Sequence, residues 1–109
     1  MKWRVVLAPR ALETLEGVLN RRLGDQLAQH LSVLGTDPEE KGWPLAGELK
    51  GYRSFYPEGG WFRIVFRVVP GAVEVVLISL GQNRARAERD LRSLARTLFS
   101  ERLLDSPGR

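Results

Sequence analysis

Arginine is the residue type whose placement in this chain suggests chemistry. Arg53, Arg63 and Arg67 fall in strand-like runs, and Arg84, Arg86 and Arg89 crowd what reads as the first turns of a helix. A guanidinium offers a rigid fork of donors that matches phosphate oxygens and stabilises charge on a phosphoryl group. It does not readily lose a proton, so it serves poorly as a general base. Other chemistries find less support. His30 is the one histidine; it lies beside an apolar helical stripe and reads as a boundary residue, and no Ser-His-Asp arrangement can be argued from it. No glycine-rich phosphate loop or metal-ligand spacing occurs. Cysteine is absent, which removes disulfides and thiolate metal sites. Neither metal nor cofactor is expected.

The elements that must position these arginines can be read from periodicity. Trp3 to Leu7 reads as a short strand, and Pro9 suits the first turn of a helix. Leu12, Leu15 and Leu19 recur at helical spacing, which predicts a helix over 9–20. Gly24 reads as a break, with Asp25 as N-cap of a second helix that buries Leu27, Leu31 and Leu34 and stops at Gly35. So short a link makes the pair an antiparallel hairpin. Asp37-Pro38 and Gly42-Trp43-Pro44 are turn chemistry. Strands follow at roughly 50–57, 61–69 and 72–80, separated by Glu58-Gly59-Gly60 and Pro70-Gly71. The last is apolar almost throughout and should be a central strand covered on both faces. A third helix starts near Asn83, its expected cap, and turns Leu91, Leu94, Ala95 and Leu98 inward. The order β-α-α-β-β-β-α defines an α+β fold: an N-terminal strand, a helical hairpin, a three-stranded antiparallel meander completing one sheet, and a C-terminal helix.

Strand parity sorts the arginines by face. Phe62, Ile64, Phe66 and Val68 form the core face of their strand, so Arg63 and Arg67 point to the other, more open one. With Tyr52, Ser54 and Tyr56 placed inward, Arg53 joins Arg63 there. The alternative for each is that it merely solvates an exposed sheet. Arg84, Arg86 and Arg89 sit where the helix dipole disfavours positive charge by roughly 0.3–1 kcal/mol each. A broken local preference of that kind often marks a functional site, and free helix N–H groups beside arginines suit a phosphate. The outer stripe Arg89, Arg92 and Arg96 also reads as a solvated face. Trp43 and Trp61 could stack on bases, though as packing residues they need no such role.

At 109 residues the length fits one domain. It is expected to span 1–104, with 105–109 a flexible tail. Lys and Arg number 17 against 13 for Asp and Glu, a formal net charge of +4. That balance suits a polyanionic partner, or serves solubility alone. No apolar run approaches the roughly 20 residues that cross a bilayer, and the N-terminal run is too short for a signal peptide. The expectation is a soluble, cytoplasmic protein.

Three segments carry a resemblance. Leu45-Ala46-Gly47-Glu48-Leu49-Lys50-Gly51-Tyr52-Arg53 resembles the opening of the sheet in the RelE/ParE toxin superfamily. Trp61-Phe62-Arg63-Ile64-Val65-Phe66-Arg67-Val68 is similar to its next strand. Val75-Val76-Leu77-Ile78-Ser79-Leu80-Gly81, followed by Arg84 and Arg86, is similar to the strand after that, and Asp37-Pro38 also fits. The resemblance implies a type II toxin–antitoxin toxin held inactive by a cognate antitoxin. RelE-like members cleave mRNA on the ribosome, and ParE-like members poison DNA gyrase. Metal-free RNA cleavage requires removing a proton from the 2′-hydroxyl, stabilising the phosphoryl charge and protonating the leaving oxygen. On the RelE-like reading Arg53, Arg63, Arg84 and Arg86 form the catalytic phosphate site, and Lys50, Arg67 and Arg89 bind RNA. The chain departs from the family in having Phe55 in place of a strand lysine and no tyrosine after Tyr56. Asp90 or Glu88 could act as a base, or simply pair with neighbouring arginines.

Overall fold

Pro9 occupies a first helical position, where its missing N–H breaks no bond, and so ends β1 (Arg4–Leu7) and starts α1 (Pro9–Glu16). These bounds come from a computed structural model that describes residues 3–57, 62–81 and 88–97. The helix stops earlier than its leucine spacing predicts, because Gly17 closes it with an N–H bond to the Glu13 carbonyl. The inward stripe shifts as a result. Ala11 is buried and Leu15 packs beside it, whereas Leu12 is half exposed and Leu19 is 94% exposed beyond the helix end.

The second helix, α2 (Arg21–Val33), begins at Asn20 and not at Asp25. The Asn20 side-chain oxygen accepts the Leu23 N–H at 3.2 Å, and its carbonyl accepts the Gly24 N–H at 2.9 Å. That cap satisfies donors that would otherwise be orphaned. It outweighs the cost of about 1 kcal/mol for a glycine inside a helix, so Gly24 continues the helix. Leu27 and Leu31 are buried on its inner side, with Leu34 at its C-cap.

Two single-turn 3-10 segments, Pro38–Glu40 and Gly47–Leu49, flank a two-residue strand, β2 (Trp43–Pro44), which the sequence had read as loop. The remaining strands are β3 (Tyr52–Phe55), β4 (Phe62–Val69) and β5 (Ala72–Leu80). Residues 88–97 are helical (α3). The sheet runs β1-β5-β4-β3-β2, with β1 parallel to β5 and every other pair antiparallel. The mixed α+β architecture is the one expected, enlarged by β2.

Both faces of the sheet are cores. On one, Ala11, Leu27, Leu31 and Leu34 pack on Phe62, Ile64, Phe66, Val73, Val75 and Ile78. On the other, Leu94 of α3 joins Leu49, Tyr52, Val65, Val76 and Leu77, with Leu91 and Ala95 alongside. Each valine, leucine, isoleucine or phenylalanine among them contributes roughly 1.5–3 kcal/mol when fully buried. β5 serves both faces through a bulge: Val65 pairs with Leu77 but Phe66 pairs with Val75, leaving Val76 as an extra residue. The face expected to be open is therefore covered, and Arg63 lies in it 7% exposed. Among the described residues no helix is long and apolar enough to cross a membrane.

Candidate functional site

Paired residues of neighbouring strands share a face, so the register decides what surrounds each arginine. Arg63 pairs with Ser79, and Ser54 pairs with Val65. This puts Ser54, Arg63 and Ser79 on the α3 side, at the end of the sheet where β4 begins and β5 finishes. Among the described residues they are the only buried polar side chains, at 0%, 7% and 6% exposure. The Arg63 Nε donates to Ser54 Oγ at 2.6 Å. Its guanidinium carbon lies 5.1 Å from the centre of the Tyr56 ring, and that ring stacks on Trp43. Ser79 Oγ donates to Asp90 Oδ2 at 3.0 Å, tying α3 to β5. Asp90, weighed as a base, thus accepts a hydroxyl hydrogen bond.

Arg63 is met by a hydroxyl and a ring, not by an acid. Among the described residues the one ion pair is Arg67–Glu74, at 2.6 Å. The Nη1 and Nη2 donors of Arg63 have no hydrogen-bond partner there either. No buried side-chain nitrogen or oxygen among the described residues lacks a partner, so this Nη edge is open to solvent and accessible to an anion. A phosphate oxygen pair matches that free fork. No group of three His, Asp or Glu side chains among the described residues is set to hold a metal.

Arg53 does not belong to this cluster. It pairs with Phe66, which places it on the α1–α2 face, opposite Arg63. The parity argument failed here because it assumed one core: Tyr52 is buried, at 3% exposure, against the α3 side. The Arg53 side chain instead reaches the 41–42 main chain, with Nε donating to the Lys41 carbonyl at 2.8 Å and Nη2 to the Gly42 carbonyl at 3.2 Å.

With this geometry in hand, solved structures supply the comparison. The chain superposes on the toxin–antitoxin complex RelBE2 of Mycobacterium tuberculosis with a TM-score of 0.67 and 21% identity, over 76% of this chain and 95% of that one. It matches a double-mutant E. coli RelE toxin in the free state at TM-score 0.65 and 20% identity, over 89% and 97%. A YoeB/ParE toxin from Agrobacterium tumefaciens matches at TM-score 0.58 and 17% identity, over 72% and 99%. The chain has the RelE/ParE toxin fold. No family model and no curated protein matches its sequence.

Within the RelE/ParE fold, the other expected site residues are scattered. Arg67 lies on the same face as Arg63, but it is tied to Glu74 and its Cζ stands 5.7 Å from the Tyr52 ring centre. Lys50 is exposed after the Gly47–Leu49 turn, and Arg89 is exposed on α3. Arg84 and Arg86, with the expected helix start at Asn83, lie outside the described residues, as do Trp61, Leu98 and the tail. The two residues that bracket Arg84 and Arg86 in sequence, Ser79 and Asp90, meet each other beside Arg63. Sequence reasoning did not pick out Ser54 or Ser79. Their signal was there in outline: a lone serine at each of two positions within runs of apolar and aromatic residues.

Proposed function

We propose that this chain is the toxin of a type II toxin–antitoxin pair and acts as a metal-free, ribosome-dependent mRNA endonuclease in the cytoplasm. The observation that carries this reading is Arg63: a guanidinium buried in the sheet, oriented by Ser54, with its Nη fork unmatched by any carboxylate among the described residues. Such a group binds the scissile phosphate and stabilises its extra charge during transfer. Arg84 and Arg86, bracketed by the Ser79–Asp90 contact, would complete the phosphate site, with Lys50 and Arg89 holding flanking RNA.

The cognate antitoxin is the second partner of this reading. A crevice of about 630 Å³ between the 46–49 turn and α3 is lined by Leu49, Leu91 and Ala95 and edged by Arg92 and Arg96. An amphipathic helix with acidic flanks fits that chemistry.

Two observations favour a non-nucleolytic toxin acting on DNA gyrase or another protein, or a degenerate member that only binds antitoxin. Asp90 is already engaged by Ser79, and no tyrosine follows Tyr56 in this sequence. Primer extension on a defined mRNA in a purified translation system separates the readings. Ribosome-dependent cuts that fall about a hundredfold or more in Arg63→Ala, and likewise in Arg84→Ala, are expected. Unimpaired translation with no cuts would overturn the endonuclease, and a gyrase supercoiling assay would then test the alternative.

A further inference from the structure

Trp43 and Tyr56 form an aromatic pair that the core does not use. Their ring centres are 5.7 Å apart with planes inclined by 28°, and they are 49% and 41% exposed. Neither belongs to the side chains that build the two cores. Large rings left in water at that level are a loss of hydrophobic stabilisation unless a ligand covers them.

The chain holds this pair in place with several devices. Gly42 has φ +64°, and a Cβ there would stand 2.0 Å from the Ser54 carbonyl oxygen, so only glycine lets the backbone approach β3 this closely. Arg53 clamps the carbonyls of Lys41 and Gly42 from the opposite face. Pro44 restricts the residue before it to extended geometry, and Trp43 then pairs with Ser54 in the ladder. Arg53 is thus a positioning residue for Trp43. The two rings stand beside the cation: the Arg63 guanidinium carbon is 5.1 Å from the Tyr56 ring centre.

A flat apolar surface next to an uncompensated cation has the chemistry of a nucleotide, in which a base with two π-faces is joined to a phosphate. We propose that Trp43 and Tyr56 are a stacking shelf for an unpaired RNA base whose neighbouring phosphate lies on Arg63. This proposal rests on the nucleic-acid reading of Arg63 and adds to it a subsite for the base. The shelf reads a base by its face, so it tolerates any of the four.

The test is fluorescence anisotropy at low salt with two labelled probes, oligoadenylate and an abasic strand of equal length. Wild type is expected to bind oligoadenylate more tightly than the abasic strand. Trp43→Ala and Tyr56→Leu should each weaken oligoadenylate binding by roughly five- to a hundredfold and leave the abasic strand unchanged. Trp43→Phe, which keeps a stacking face, should restore most of the affinity. Arg63→Ala should weaken both probes. Circular dichroism confirms that each variant folds, and the two shelf positions are independent should one fail. Wild-type affinity in both shelf variants, or equal binding of the two probes by wild type, overturns the shelf while leaving the phosphate reading intact. Absence of binding to either probe overturns both. Variants that lose a cognate antitoxin but keep oligoadenylate would make the pair a protein contact and end the proposal.

Discussion

A guanidinium inside a sheet destabilises the fold unless its donors are met. Ser54 meets one of them for Arg63. Ser54→Ala is therefore expected to lower stability by about 1–3 kcal/mol, read from urea unfolding. If the chain cleaves RNA as proposed, cleavage should fall more steeply than the small change in side-chain volume implies, because Arg63 loses the partner that fixes its orientation. A variant as stable and as active as wild type would show that the contact carries no weight. The side of the sheet that Arg63 takes, away from Phe62, Ile64 and Phe66, was legible from alternation along β4. Arg53 was misread because alternation says which residues share a face but not which face they share. Deciding that needed the burial of Tyr52 under α3, a contact between distant parts of the chain.

At the scale of the element, β5 shows how an apolar run hides its own irregularity. Glu74 and Ser79 both face α3 although they are an odd number of residues apart, which a regular strand forbids. The bulge at Val76 reverses the alternation and keeps Val73, Val75, Ile78 and Leu80 toward the helical pair. Those two polar residues were the available signal, and a pattern of apolar residues alone could not reveal it. Deleting Val76 should restore a regular ladder without moving any other side chain to the wrong face. The variant is expected to fold with an amide spectrum close to wild type, at a cost of about 1.5–3 kcal/mol for the lost buried valine. An unfolded variant would mean that the bulge itself is needed. The boundaries of α1 and α2 were illegible for a related reason: caps made by Gly17 and Asn20 depend on single hydrogen bonds that periodicity does not register.

The whole molecule carries a net charge of +4, which sets its response to salt. If it binds single-stranded RNA, log affinity should fall linearly with log salt, with a slope near −0.7 for each phosphate contacted. Arg63→Ala should flatten that slope by roughly one such increment, measured between low and physiological ionic strength. An unchanged slope would place Arg63 away from the phosphates. The topology of the sheet has a consequence of another kind. β1 pairs in the sheet with β5 alone, Arg4 beside Ala72, and the α3 side of the sheet closes only when residues 88–97 dock. Pairings so distant along the chain make folding slow compared with helical proteins of this size. The full Arg63 cluster, in which Ser54, Ser79 and Asp90 come together, is therefore complete only once α3 has docked on a sheet that already holds its distant strand pairings.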